Sequence, residues 1–412
     1  MAIYARYARE ALAWPAVRSL PVEYPAFSLL AFLPPALVPL PYAVGFGLLA
    51  AGGTVVLVLS SDGLPRHPGW GSRVCAYLLA GTSAVLLARY DVFPALCAFG
   101  GLEAARRQRW GRAWAWAVAG GLLKLFPFLL LPGFLIAERS SSGRWPLRRL
   151  WALAPLAALA AAQQLLAPGS LLAPLRYELD RGFELSSLPG SLTMLSDPLH
   201  VRWATAFGSV EVLGRGAPVI SALAGVAAVA GLLVVWGLLR QGALSVEAAS
   251  LAVLSVVVLT DKAFAPQYLI WLVPFWAYWP LRRGWVASAA LTTLVFPVLY
   301  SEPGLLGPGL YGATAVAALR NVVLLVATAR WFAGELRAPV TERTQAPWLA
   351  SERSLTASER SLTAAGAVQS CEGAGAVTKL ALRTLGPAQG QVAAVSEQSQ
   401  ALPLGASGPK GG

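Results

Sequence analysis

From about Val22 to Phe332 the chain alternates between long apolar runs and short polar connections. The runs approach the 20 residues of a membrane-spanning helix, and they lack the 10-residue alternation of a membrane barrel. Eleven spans are predicted, at 43–60, 74–90, 92–105, 112–124, 126–138, 148–167, 217–239, 247–260, 268–281, 285–300 and 311–332. The runs 112–124 and 126–138 are short and meet at Lys124–Pro127, where they read as half-helices joined by a turn. Residues 26–41 carry Pro34, Pro35, Pro39 and Pro41. Proline removes a backbone donor and breaks a simple span, so this stretch reads as interfacial or re-entrant.

Composition agrees with that pattern. Hydrophobic residues make up 56% of the 412 and charged residues 13%, against about 25% charged in a soluble domain. This excludes an ordinary soluble enzyme and any disordered or fibrous class. The expected fold is all-α, a polytopic transmembrane helix bundle. The net charge of +12 is explained by basic cytoplasmic loops, so no nucleic-acid partner is expected. Arg66 with Arg73, Arg106 to Arg112, Arg139 to Arg149, and Arg282 with Arg283 fall on alternate connections. One orientation makes all four cytoplasmic. The expected location is the plasma membrane. Two histidines and three scattered cysteines point to no metal site, no disulfide and no cofactor.

Three regions are expected. Residues 1–25 form an external N-terminal segment, 26–332 the transmembrane domain, and 333–412 a cytoplasmic tail. The tail holds one aromatic, Trp348, and a tandem SERSLTA repeat at 351–357 and 358–364. It cannot bury a core and is read as disordered.

The remaining connections are then external, and they gather the ionisable residues that lie next to apolar runs: Glu23, Arg89, Asp91, Lys124, Arg176 to Glu184, Asp261 and Lys262. Only four of the 32 basic residues are lysines, and two of these, Lys124 and Lys262, border apolar runs. A lipid-linked phosphate sits at this depth. Arg89, Lys124, Arg181 and Lys262 suit its oxygens through charge-assisted hydrogen bonds. A carboxylate suits the general-base role toward an acceptor hydroxyl. Asp91 also reads as a helix-start or ion-pair residue, and Lys124, in a nearly pure apolar run, needs a phosphate or carboxylate partner. Ser187 is a phosphate hydrogen-bond donor in this reading, Glu184 orients sugar hydroxyls, and Asp261 caps the turn that follows it. Gln267 and Tyr268 suit a sugar pocket, or for the tyrosine an interfacial belt.

Four segments resemble the polytopic glycosyltransferases of the GT-C class, in particular glycosyltransferase family 87. They are VEYPAF at Val22–Phe27, RYDVFPAL at Arg89–Leu96 with GGLLKLFPFLLLP at Gly120–Pro132, DRGFELSSLPGSL at Asp180–Leu192, and TDKAFAPQYLIWLVP at Thr260–Pro274. The resemblance covers about residues 1–332. It implies a GT-C helix bundle that transfers a hexose, mannose above all, from a polyprenyl-phosphate donor to an external glycolipid or glycan. It also implies a first helix followed by an aspartate base. Here Ile3–Leu12 resembles the stretch after that base, and no aspartate precedes it. The reading therefore expects a segment upstream, and leaves Asp91 and Glu23 as the acids nearest the reaction. Two alternatives stand beside it: a transporter or flippase of a lipid-linked substrate, and a catalytically inactive relative.

Overall fold

In the computed structural model, residues 1–13, 21–62, 69–196, 200–299 and 309–338 are described. They lie in one compact unit, Met1–Pro347. The second unit, Trp348–Gly412, and nearly all of the tail expected at 333–412 fall outside the described residues, as does Arg66.

The chain is mostly helical. Its helices are α1 (Ala2–Leu12), α2 (Leu29–Phe32), α3 (Tyr42–Asp62), α4 (Trp70–Gly81), α5 (Val92–Arg106), α6 (Trp110–Leu123), α7 (Leu131–Ser142) and α8 (Ala154–Leu166). They continue as α9 (Ala173–Asp180), α10 (Leu188–Ser196), α11 (Ala217–Arg240), α12 (Val246–Thr260), α13 (Leu269–Trp276), α14 (Arg283–Thr293) and α15 (Gly309–Arg337).

Among the described residues three stretches can cross a membrane by length and composition: Tyr42–Ser60, Ala217–Arg240 and Gly312–Arg337. Helix α11, at 24 residues, spans about 36 Å, more than the hydrocarbon thickness. It turns Val219, Leu223, Val226, Val229, Leu233 and Val234 outward. So continuous an apolar face is unfit for water and fits lipid.

The hydropathy pattern predicts eleven spans, and most of the other runs are interrupted. The run 74–90 is helical only to Gly81, then turns through a 3-10 segment at Leu86–Ala88. Gly81 sits where a Cβ would meet Leu269 at 2.7 Å and Ala289 at 3.0 Å, so α4 approaches its neighbours closely there. The run 268–281 becomes a 3-10 turn at Pro266–Tyr268 followed by the short α13, with Pro274 inside it. Residues 26–41 form short helical turns broken by proline, not one helix. Between α6 and α7 the chain breaks at Lys124, which is extended, and resumes as a 3-10 turn at Phe126–Leu130.

The connection 168–216 holds more order than its hydropathy suggests. It contains α9, α10 and strands β1 (Phe183–Glu184), β2 (Arg202–Ala206) and β3 (Ser209–Leu213). They form an antiparallel sheet in the order β1-β3-β2. The helical bundle thus carries a small β element.

Among the described residues there are three apolar clusters, one of them a small core under the β element at Leu185, Met194, Val212 and Ala313, and the other two set the frame. The larger packs α4, α5, α6, α12 and α13 around Trp70, Trp114, Trp271, Trp276, Trp285 and Trp331. The smaller is aromatic: Tyr4 and Tyr7 of α1 meet Phe32, Phe46 and Tyr90. Tyr4, Tyr7 and Ala8 recur at helical spacing and are the buried face of α1. At the far end of α5, Arg106 joins Glu103 at 2.7 Å and Glu247 at 2.6 Å, while the Tyr278 hydroxyl donates to Glu103.

Candidate functional site

A cavity of about 690 Å³ opens where α1, the chain before α5, the break at Lys124, α9, the β element, the loop 261–268 and α15 converge. That volume accommodates a small ligand with its polar contacts. Of the residues singled out in the sequence, Glu23, Arg89, Lys124, Arg181, Glu184, Gln267 and Tyr268 line it. Four others do not, and each has a local reason.

Asp91 is 1% exposed and lies beneath the cavity. It precedes α5 without capping it. Its Oδ1 instead accepts from Lys124 Nζ at 2.6 Å and from Trp271 Nε1 at 2.7 Å. Ser187 is fully buried and donates to the Glu184 carbonyl. Lys262 donates to the carbonyls of Leu179 at 2.7 Å and Arg181 at 3.1 Å. It satisfies the C-terminal end of α9 as a cation should, and is turned away from the expected phosphate. Asp261 accepts from the Ala263 amide at 3.5 Å, a weak version of the turn cap expected of it. Although part of its surface is open, the packed protein pushes its carboxyl up to about 7, burial first and the Glu178 charge second.

Lys124 occupies an aromatic cage. Its ammonium lies 4.8 Å from the Trp271 ring centroid and 5.4 Å from those of Tyr90 and Tyr268. Tyr268 stacks on Trp271 at 4.1 Å, and Trp271 on Phe126 at 4.3 Å. The local sequence explains the placement. The helix break leaves Lys124 extended, and the stacked rings come from α13, its preceding turn and the 3-10 turn that follows Lys124. A half-buried ammonium is held by a counter-charge and by ring faces, and Lys124 has both here.

Arg181 reaches Glu178 at 3.4 Å, Ser209 Oγ at 3.3 Å and Glu184 at 3.9 Å. Its buried Nε has no hydrogen-bond partner, nor does the buried Oε1 of Gln267. Buried polar atoms are normally paired, so these two are exceptions among the residues that line the cavity. Glu184 Oε1 accepts from Ser186 Oγ at 2.8 Å. Burial raises the Glu184 carboxyl, while the Ser186 hydrogen bond and Arg181 act in the other direction. Glu23 accepts from the Tyr7 hydroxyl, and Arg89 Nη1 approaches the Tyr4 hydroxyl at 3.4 Å.

Sequence reading misses Arg320. It sits inside the apolar helix α15, fully buried, and also lines the cavity. Its guanidinium donates to the carbonyls of Ser186 and Phe264 and to Asn321 Oδ1, and lies 3.8 Å from the Phe264 ring centroid. A lone arginine in an apolar run is the signal that could have found it. Tyr24, Tyr177, Glu178 and Phe207 are further lining residues.

A second pocket, an apolar groove, has a volume of about 330 Å³. Phe27, Leu122, Leu125, Phe128, Leu159 and Leu175 are among its lining residues. The two are lined from the same stretches of chain: Tyr24 lines the cavity and Pro25 the groove, Lys124 the cavity and Leu125 the groove, Tyr177 the cavity and Leu175 the groove. Among the described residues no three His, Cys, Asp or Glu side chains converge as a metal-ligand set. Compared with known protein families, with curated proteins and with solved structures, the chain matches none.

Proposed function

We propose that this chain is an integral membrane glycosyltransferase that moves a hexose from a polyprenyl-phosphate donor to a glycolipid or glycan acceptor. The observation that carries this reading is a cavity lined by Arg89, Lys124, Arg181 and Arg320, together with an apolar groove lined from three of the same stretches of chain. Such a site suits an amphiphile with an anionic head. The four GT-C-like segments supply the reaction class and mannose as the first sugar to test. In the proposed topology eleven spans cross the plasma membrane, the cavity faces outward and the C-terminus is cytoplasmic. The three long apolar helices support the membrane part of this reading.

In the proposed reaction the acceptor hydroxyl oxygen attacks the anomeric carbon. The bond from that carbon to the phosphate oxygen breaks, and the polyprenyl phosphate departs with the electron pair. Arg89, Lys124, Arg181 and Arg320 meet its charge. The hydroxyl proton passes to a carboxylate. Glu178 and Glu184 are both drawn toward Arg181, as counter-ions on the phosphate side. Glu23 is held by a tyrosine hydroxyl instead, and we assign it the base role. Asp91, locked beneath Lys124, positions the ammonium.

The test is transfer of label from polyprenyl-phosphate-mannose into membrane acceptors by the full chain, with Lys124→Ala and Glu23→Gln beside it. Transfer that both substitutions abolish supports the reading. Absence of transfer from every polyprenyl-linked sugar tried would overturn it.

A further inference from the structure

The turn between β2 and β3 breaks a local rule. It is a two-residue connection, Phe207-Gly208, with Ala206 paired to Ser209 across its base. Both turn residues have positive φ, 52° at Phe207 and 70° at Gly208. Turns of this kind favour asparagine or glycine at the first position. A phenylalanine there is held in the left-handed region against steric resistance. Such strain persists only where surrounding contacts over-determine it, and it gathers at ligand sites.

Contacts from Tyr177 hold it. Tyr177 Oη donates to the Phe207 carbonyl at 2.9 Å. The two rings meet edge to face with centroids 5.0 Å apart. Arg181, itself a lining residue, reaches Ser209 at 3.3 Å. All four residues line the same cavity, and Phe207 is half-buried. The cavity wall thus carries an aromatic pair set by a strained backbone, on an element that also grips a phosphate-side arginine.

We propose that Phe207 is the acceptor-recognition residue, offering its ring as a stacking platform for the pyranose of a glycan acceptor. The chemistry fits: the C–H-bearing face of a sugar packs on an aromatic face, and a rigid ring loses little entropy in doing so. This rests on the glycosyltransferase reading above and extends it. The acceptor is recognised as a sugar ring, not as a bare lipid alcohol.

Phe207→Gly separates this role from a structural one, because glycine relieves the positive φ while removing the ring. The experiment measures binding of octyl α-mannoside and, separately, of a polyprenyl phosphate to the full chain in nanodiscs, with thermal stability recorded for each variant. Phe207→Gly is expected to weaken octyl α-mannoside about 5-fold or more, leave polyprenyl-phosphate affinity unchanged, and hold or raise thermal stability. Phe207→Trp is expected to retain glycoside binding.

Unchanged glycoside affinity in Phe207→Gly overturns the inference. So does a parallel loss of polyprenyl-phosphate affinity, or a lowered stability, since each marks the ring as structural. A wild-type chain that binds the polyprenyl phosphate but no glycoside overturns the inference alone. One that binds no polyprenyl phosphate overturns the underlying reading with it.

Discussion

The carboxylate of Asp91 and the ammonium of Lys124, 33 positions apart in the chain, lie 2.6 Å from one another, with Lys124 lining the cavity and Asp91 buried behind it. Asp91 is 1% exposed and Lys124 16% at their side chains, and Trp271 donates to the same carboxylate oxygen. Removing one member of a fully buried pair costs about 3–5 kcal/mol, an upper bound here because Lys124 faces the cavity. Asp91→Ala is therefore expected to lower thermal stability sharply, and Asp91→Asn less so, because the amide oxygen still accepts from Lys124 and Trp271. Comparison of the two melting temperatures checks this. Equal stability of both variants with the parent would show the pair to be incidental.

Arg320 ties α15 to two loops. Its guanidinium holds the carbonyls of Ser186 and Phe264, and Ser186 in turn holds both Glu184 and Phe264. A lysine keeps the charge but not the planar fork that spans these acceptors. Arg320→Lys is expected to reduce both stability and donor affinity, the latter by about tenfold or more, as loss of a charge-assisted contact worth about 1.5–3 kcal/mol requires. Titration with polyprenyl phosphate decides it. Parent-like affinity in Arg320→Lys would show that charge alone suffices.

The groove should set lipid preference. Leu125 and Leu159 line it, and a bulkier side chain at either position would fill it. Leu159→Trp is expected to weaken a long polyprenyl phosphate while sparing a short isoprenyl phosphate that reaches only the cavity. Each buried methylene is worth about 0.8 kcal/mol, so covering two or three of them gives a difference of about 15- to 60-fold. A uniform loss for both lipids would count against the groove.

Asp261 gives a pH signature. Its carboxyl in the folded chain titrates at about 7, above its ordinary value of 3.8. An acid raised on folding costs stability once it ionises. That cost is absent below the ordinary value, grows between 3.8 and about 7, and is complete above about 7. Asp261→Asn is expected to melt a few degrees higher than the parent at pH 8, and at the same temperature at pH 4. Melting curves at the two pH values test it, and a gain confined to pH 4 would reverse the sign and refute the assignment.

The apolar runs, the break at Lys124 and the proline-interrupted stretch at 26–41 are properties of neighbouring residues, and hydropathy and backbone chemistry along the chain were enough to read them. The same local logic gathered Glu23, Arg89, Lys124, Arg181, Glu184, Gln267 and Tyr268 as candidates, because ionisable and amide side chains beside apolar runs are costly and conspicuous. What each does depends on which segments pack together. Only the fold pairs Asp91 with Lys124, spends Lys262 on the end of α9, and brings Arg320 from a distant helix to the cavity. Likewise, only strand pairing reveals Phe207 as a strained turn residue. Hydropathy and periodicity are one-dimensional and short-ranged. A hydrogen bond across 33, 83 or 134 positions is decided by helix packing and strand register, where burial and hydrogen-bond satisfaction act on the whole chain at once.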